Sequence, residues 1–312
     1  MELLDAIKQK NKKLAYKYIN DDKININCQD SNGDTALILS CHTTYLGGIS
    51  FKLIDHFFVD LNLQNNNGET ALLIALKYKK KRLITELVRA GANIHLQNSD
   101  KDTCIMIACM NKWNNIALEL IGKTKNINNE LDLQNKDGST ALIIATKNNL
   151  IDVVDMLIEK KVNLNLYDKN KETALLYACR NSNTTIAIKL IETGADLNIQ
   201  NNNLETATII VSSLNTFNKN ILLKLIETGS DLNIQNREGN TVLMNLSHLH
   251  VYYNISDLLI LMLKQKINLN LQNISGETAL LSFIKYYNID YDDINYNIIR
   301  NMSFAWNFKT KT

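Results

Sequence analysis

The chain has 312 residues, 45% hydrophobic and 21% charged, with a net charge of +2 at pH 7 and no proline. That balance is ordinary for a folded chain and points to neither nucleic acid nor a membrane surface as the default partner. The N-terminus, MELLDAIKQK, places acidic residues where a secretion signal needs an apolar core, and no apolar run approaches the ~18 residues of a spanning helix.

Residues 1–24 carry two short amphipathic runs, Leu3–Lys10 and Lys13–Asn20, and are expected to form an N-terminal helical cap. Lysines at 8, 10, 12, 13 and 17 suit its solvated face; acidic neighbours and the lack of interleaved aromatics argue against a nucleic-acid arm. From residue 25 one frame repeats. Its clearest copy is Gln134–Thr146, QNKDGSTALIIAT: an Asp-Gly turn, then Thr140 as helix N-cap, then an apolar run from Ala141. The frame returns at Thr35, Thr70, Thr103, Thr173, Thr206, Thr241 and Thr278, and successive threonines lie 35, 33, 37, 33, 33, 35 and 37 residues apart. A steady period in this range marks a repeat array and overrides a length-based expectation of two globular domains.

Each unit reads as turn, Thr, helix, polar link, second helix and a short extended run such as Val162–Leu166. Second helices are expected over Leu83–Val88, Ile116–Ile121, Ile186–Ile191, Ile221–Ile226 and Leu258–Leu263. Insertions at Gly47-Gly48, Thr124–Asn129 and His250–Asn254 lengthen links without breaking the array. The turn glycine is replaced by Lys101, Lys171 and Leu204, where adjacent Asn170 and Asn203 are expected to absorb the left-handed backbone. The array is expected over 25–289, and 290–312 as a capping helix and tail, with Asp290–Ile299 helical and Phe304, Trp306 and Phe308 as an apolar lid.

The frame G-x-T-A-L-[IL]-x-A, followed by a leucine-rich helix and Gly194-Ala195-Asp196-Leu197-Asn198 or Gly91-Ala92-Asn93-Ile94-His95, closely resembles the ankyrin repeat. The resemblance covers nearly the whole chain, about eight units plus a cap. It implies an all-α solenoid of stacked helix-turn-helix units with short β-hairpin loops. The Asn, Ile and Lys bias further resembles ankyrin arrays of large DNA viruses. The chain departs from the family in placing Ala, Cys or Val where Pro follows the Thr, and Ile, Leu or Met where His is usual.

No catalytic constellation is visible: there is no phosphate-binding glycine loop, nucleophile elbow, HExxH or CxxC, and the histidines at 42, 56, 95, 248 and 250 are scattered. No cofactor or metal is expected. Cys41, Cys109 and Cys179 each fall six residues after their Thr, as small buried hydrophobes of a reduced, cytosolic protein. Stacking turns each repeat position into a row. One residue before each Thr stand Asp34, Glu69, Asp102, Ser139, Glu172, Glu205, Asn240 and Glu277; seven after it stand His42, Lys77, Met110, Lys147, Arg180, Ser213, His248 and Lys285. An acidic row is thus expected along one edge and a basic row at the other end of the first helices, a placement that also complements the helix dipole.

In ankyrin arrays these positions, with the hairpin tips, look into a concave groove where partners bind. The resemblance therefore implies a protein-binding site at Glu69, Lys77, Asp102, Lys136, Asp137, Lys147, Glu172, Arg180, Glu205, Arg237 and Lys285. It implies a non-catalytic interaction scaffold, monomeric and cytoplasmic (in a host cell if viral), with a protein partner and no nucleic acid or membrane. The alternatives are a ubiquitin-ligase adaptor acting through an F-box-like tail over Ser303–Thr312, and a structural spacer. The resemblance also marks Asn62, Asn165, Asn198, Asn233 and Asn270, with His95, as the hairpin positions that asparaginyl hydroxylases modify. The plainer expectation is that each bonds within its own hairpin.

Overall fold

The computed structural model describes residues 2–42, 47–124, 129–213, 215–249 and 255–286. The expected tail, 290–312, and the insertion His250–Asn254 lie outside these residues, as do 125–128 of the insertion Thr124–Asn129. The chain divides into two compact units, Met1–Val162 and Asn163–Thr312, each built from helix pairs.

The first unit contains α1 (Glu2–Lys8), α2 (Lys12–Ile19), α3 (Ala36–His42), α4 (Gly47–Ile54), α5 (Ala71–Lys77), α6 (Lys81–Arg89), α7 (Cys104–Met110), α8 (Asn114–Lys123), α9 (Ala141–Lys147) and α10 (Ile151–Glu159). The second contains α11 (Ala174–Arg180), α12 (Thr184–Glu192), α13 (Ala207–Val211), α14 (Lys219–Glu227), α15 (Val242–Leu249), α16 (Ser256–Leu263) and α17 (Ala279–Tyr286). Odd-numbered helices of the first unit stack in one layer, while on the other side α2, α4 and α6 follow one another and α8 packs on α10, so that α1 and α2 join as one more pair. Gly47 and Gly48, expected as link residues, form the first turn of α4.

Every array threonine acts as the cap its position predicts. Thr70 Oγ1 accepts from the Leu73 N–H at 3.3 Å and Thr140 Oγ1 from Ile143 at 3.2 Å, with the same bond at Thr35, Thr103, Thr173, Thr206, Thr241 and Thr278. Each relieves one of the orphan donors at a helix start. Between the layers, Leu72, Ile74, Ala75, Leu76, Leu87 and Leu120 are fully buried. Each large apolar side chain so buried contributes about 1.5–3 kcal/mol. The residue five after each Thr is buried throughout, including the bulkier Val211, Leu246 and Phe283. Cys41, Cys104, Cys109 and Cys179 are buried free thiols; burial pushes Cys41 and Cys109 up to about 12.

Among the described residues no strand forms. The hairpins close through isolated bridges such as Gln29–Thr35 and Gln272–Thr278, and Val162–Leu166 makes turns where alternation suggested an extended run. At the tips the left-handed backbone falls on Lys101 (φ +60°), Lys171 (+57°) and Leu204 (+60°) themselves, not on Asn170 or Asn203. The reason is the turn's hydrogen bond: the N–H of that residue reaches back three residues, as Leu204 does to the Asn201 carbonyl at 2.9 Å. Closing that turn fixes the conformation whatever residue occupies the site.

Candidate functional site

Most hairpins are assembled from amides. Five residues before its Thr, Asn65 accepts from the N–H groups of Asn67 (3.0 Å) and Glu69 (2.9 Å), a side-chain-capped turn. One residue earlier, Gln64 donates to the Gly68 carbonyl of its own hairpin (2.6 Å) and the Gln97 carbonyl of the next (2.8 Å). Gln29, Gln200 and Gln235 bridge their neighbours in the same way. Tip backbones join as well: Ser99 N–H donates to the Asn67 carbonyl at 2.7 Å, and Arg237 N–H to that of Asn203 at 3.0 Å. Rigid tips are therefore a property of the stack.

The acidic row lies within this network. Asp34 is buried and accepts from Asn65 Nδ2 (2.9 Å); Asp102 accepts from Asn135 Nδ2 (2.9 Å); Glu172 accepts from Asn201 Nδ2 (2.9 Å). The basic row, expected at the far end of the first helices, folds back onto it. Lys77 Nζ meets Glu69 at 2.8 Å, Lys285 meets Glu277 at 2.7 Å, and Arg180 bridges Glu172 (2.7 Å) and Glu205 (3.0 Å). Lys147 Nζ lies 3.5 Å from Ser139 Oγ. A seven-residue helix is only ~10 Å long, so a side chain from its last turn spans the distance.

These pairings differ in depth. The Glu172 side chain is 8% exposed, whereas Lys77 and Lys285 remain 58% and 55% exposed. Glu69 holds the Lys77 ammonium above the usual lysine range. Burial alone would lower Arg180, but hydrogen bonds from its guanidinium to Glu205 and Glu172 outweigh it and raise it. In the repeat of Asp102 the basic-row position is Met110; burial pushes the Asp102 carboxyl up, the Asn135 amide opposes it, and Asp100 and Asp137 add to the rise. At the tips, Lys136 and Asp100 pair at 3.4 Å, Asp137 is exposed, and Arg237 donates to the Asn202 carbonyl at 2.9 Å.

The hairpin asparagines depart from expectation. Asn62 Oδ1 accepts from the N–H of Asn93 in the next repeat (2.7 Å), Asn165 from Asp196 (2.8 Å), Asn198 from Asp231 (2.9 Å) and Asn233 from Asn268 (2.7 Å). They tie one repeat to the next. His95 occupies this position where the following loop carries the insertion, and its Nε2 sits 3.5 Å from Glu130. Among the described residues no group of three His, Cys, Asp or Glu could hold a metal ion, and no helix is long and apolar enough to cross a membrane.

A family model described as ankyrin repeats (3 copies) matches residues 3–98, 73–167 and 105–201. No curated protein matches the chain. Among solved structures, the ankyrin repeat domain of Bcl-3, of the IkappaB protein family, is similar with a TM-score of 0.57 and 19% identity, covering 72% of this chain and 97% of that one. An ankyrin repeat domain from Acinetobacter baumannii AYE is similar with a TM-score of 0.54 and 25% identity, covering 65% of this chain and 97% of that one.

Proposed function

The chain belongs to the ankyrin-repeat family, and from that membership we propose a non-catalytic scaffold that binds a protein partner on the face made by its first helices and hairpin tips. The observation that carries this reading is that Lys77, Arg180 and Lys285 are each held by acids of the neighbouring row, with Lys77 and Lys285 still more than half exposed. A base so held presents charge to a partner with little further ordering cost. Glu172, Glu205 and Arg180 support the face from below; Lys77, Lys147, Lys285, Lys136 and Asp137 meet the partner. The proposed setting is cytoplasmic and the proposed state monomeric, with no nucleic acid, membrane or cofactor involved.

The test is affinity capture from the source cell with the native chain and with a variant carrying Lys77→Gln, Lys147→Gln and Lys285→Gln. Arg180 stays, because removing it strands the buried Glu172. A partner held by the native chain and lost by a variant of unchanged helical signal supports the reading. Equal retention by both proteins refutes this placement of the site.

A further inference from the structure

At the opposite end of α5 and α7 from the hairpins lies a hollow of about 450 Å³ whose lining residues belong to neither interaction row. It is lined by Lys79, Lys81 and Lys112 together with Trp113, Asn114 and Ile116. The turns that form it read Tyr78-Lys79-Lys80-Lys81-Arg82 and Asn111-Lys112-Trp113-Asn114-Asn115, without an Asp or Glu. None of the three lining lysines is in an ion pair among the described residues, unlike Lys77 one turn away. Like charges gathered around a concave wall reinforce one another and focus a positive potential into it.

Two further features narrow the ligand. Lys79 Nζ stands 5.9 Å from the centre of the Trp113 ring, so one ammonium is already placed over an aromatic wall. Ile116 and Trp113 add apolar surface, which suits a side chain more than a bare anion.

We propose that this lysine-and-tryptophan hollow between the turns α5–α6 and α7–α8 is a second docking site, one that takes an acidic peptide segment of a protein partner. Carboxylates meet Lys79, Lys81 and Lys112, and an apolar side chain packs on Trp113 and Ile116. The site is separate from the hairpin-side face and does not depend on it.

Trp113 and Trp306 are the two tryptophans of the chain, so Trp306→Phe leaves Trp113 as sole reporter. The full chain with that change is titrated at low salt, following indole emission, with a short peptide of glutamate pairs separated by leucines. Inorganic phosphate and a single-stranded oligothymidylate are titrated in parallel. The expected result is a saturable emission change with the peptide that weakens as salt rises, and at least tenfold weaker binding after Lys79→Gly and Lys112→Gly. Those residues sit at φ +59° and +57°, where glycine is at ease, so the double variant keeps or gains thermal stability while it loses the peptide. No saturable change, unchanged affinity in the double variant, an equal response to phosphate, or tighter binding of the oligothymidylate would each overturn the assignment.

Discussion

Gly239 and Gly276 share a left-handed backbone, φ +76° and +75°, and differ in what surrounds them. A methyl group on Gly239 would lie 2.8 Å from Asn273 Cα of the next hairpin, whereas one on Gly276 meets nothing within 4 Å. Alanine at either costs about 1 kcal/mol for conformation alone. Gly239→Ala must also push the neighbouring hairpin away, so its midpoint in urea should fall well below that of Gly276→Ala. Equal midpoints would mean that tip packing carries no strain. The converse substitution, Leu204→Gly, should stabilise by about 0.5–1 kcal/mol, since Leu204 holds the same conformation without a glycine's freedom.

At the scale of the helix pair, the cap α1–α2 packs on α3 and α4 and is fastened further by one ion pair. Lys8 Nζ lies 2.8 Å from Asp30 Oδ2, and the Asp30 side chain is 3% exposed. Burial alone would raise the Asp30 carboxyl, but Lys8 and the N–H groups of Asp34 and Asn32 outweigh it and hold it below the usual range. A depressed carboxyl contributes stability above its unfolded value, and loses it as pH falls through the folded one. Lys8→Met should therefore cost about 1–3 kcal/mol at neutral pH, with the deficit closing below about pH 4. Chemical denaturation across that range checks it, and a deficit independent of pH would refute the ion pair as its cause. The period, the threonine caps and the helix pairs were all legible in the sequence, because each follows from local chemistry repeated in register. Less legible was the hairpin. Its Gln and Asn rows recur at the same period, but their bonds run to the next repeat some 33 residues away, and only the stack brings those atoms together. The Lys77–Glu69 pair was missed for a different reason: the row positions were legible, but side-chain reach was not.

At the scale of the molecule, the two compact units share one construction and begin alike. Asp30 and Asp168 stand where the other hairpins place Asn. Asn donates to the residue before the preceding Thr, as Asn65 does to Asp34 and Asn201 to Glu172. The hairpin at Asp168 follows Ser139, which offers no carboxylate for an amide at that position to serve. Asp168 turns to Tyr177 instead, accepting its hydroxyl proton at 2.6 Å. Each unit holds its own helix pairs and hairpin ties, so residues 1–162 expressed alone should keep a helical signal and melt cooperatively. A fragment without helical signal would show that the unit borrows its stability from elsewhere. The closed hairpin turn also bears on how the protein ages. Asparagine followed by glycine, as at Asn32-Gly33 and Asn67-Gly68, is the sequence most prone to spontaneous deamidation, in which the glycine nitrogen attacks the side-chain amide. Here the Gly33 N–H is bonded to the Asp30 carbonyl at 2.9 Å and that of Gly68 to Asn65 at 2.8 Å, within a backbone that cannot swing toward the attack. The fold thus shelters its most perishable amides, and the clock of chemical decay runs only while a hairpin is open.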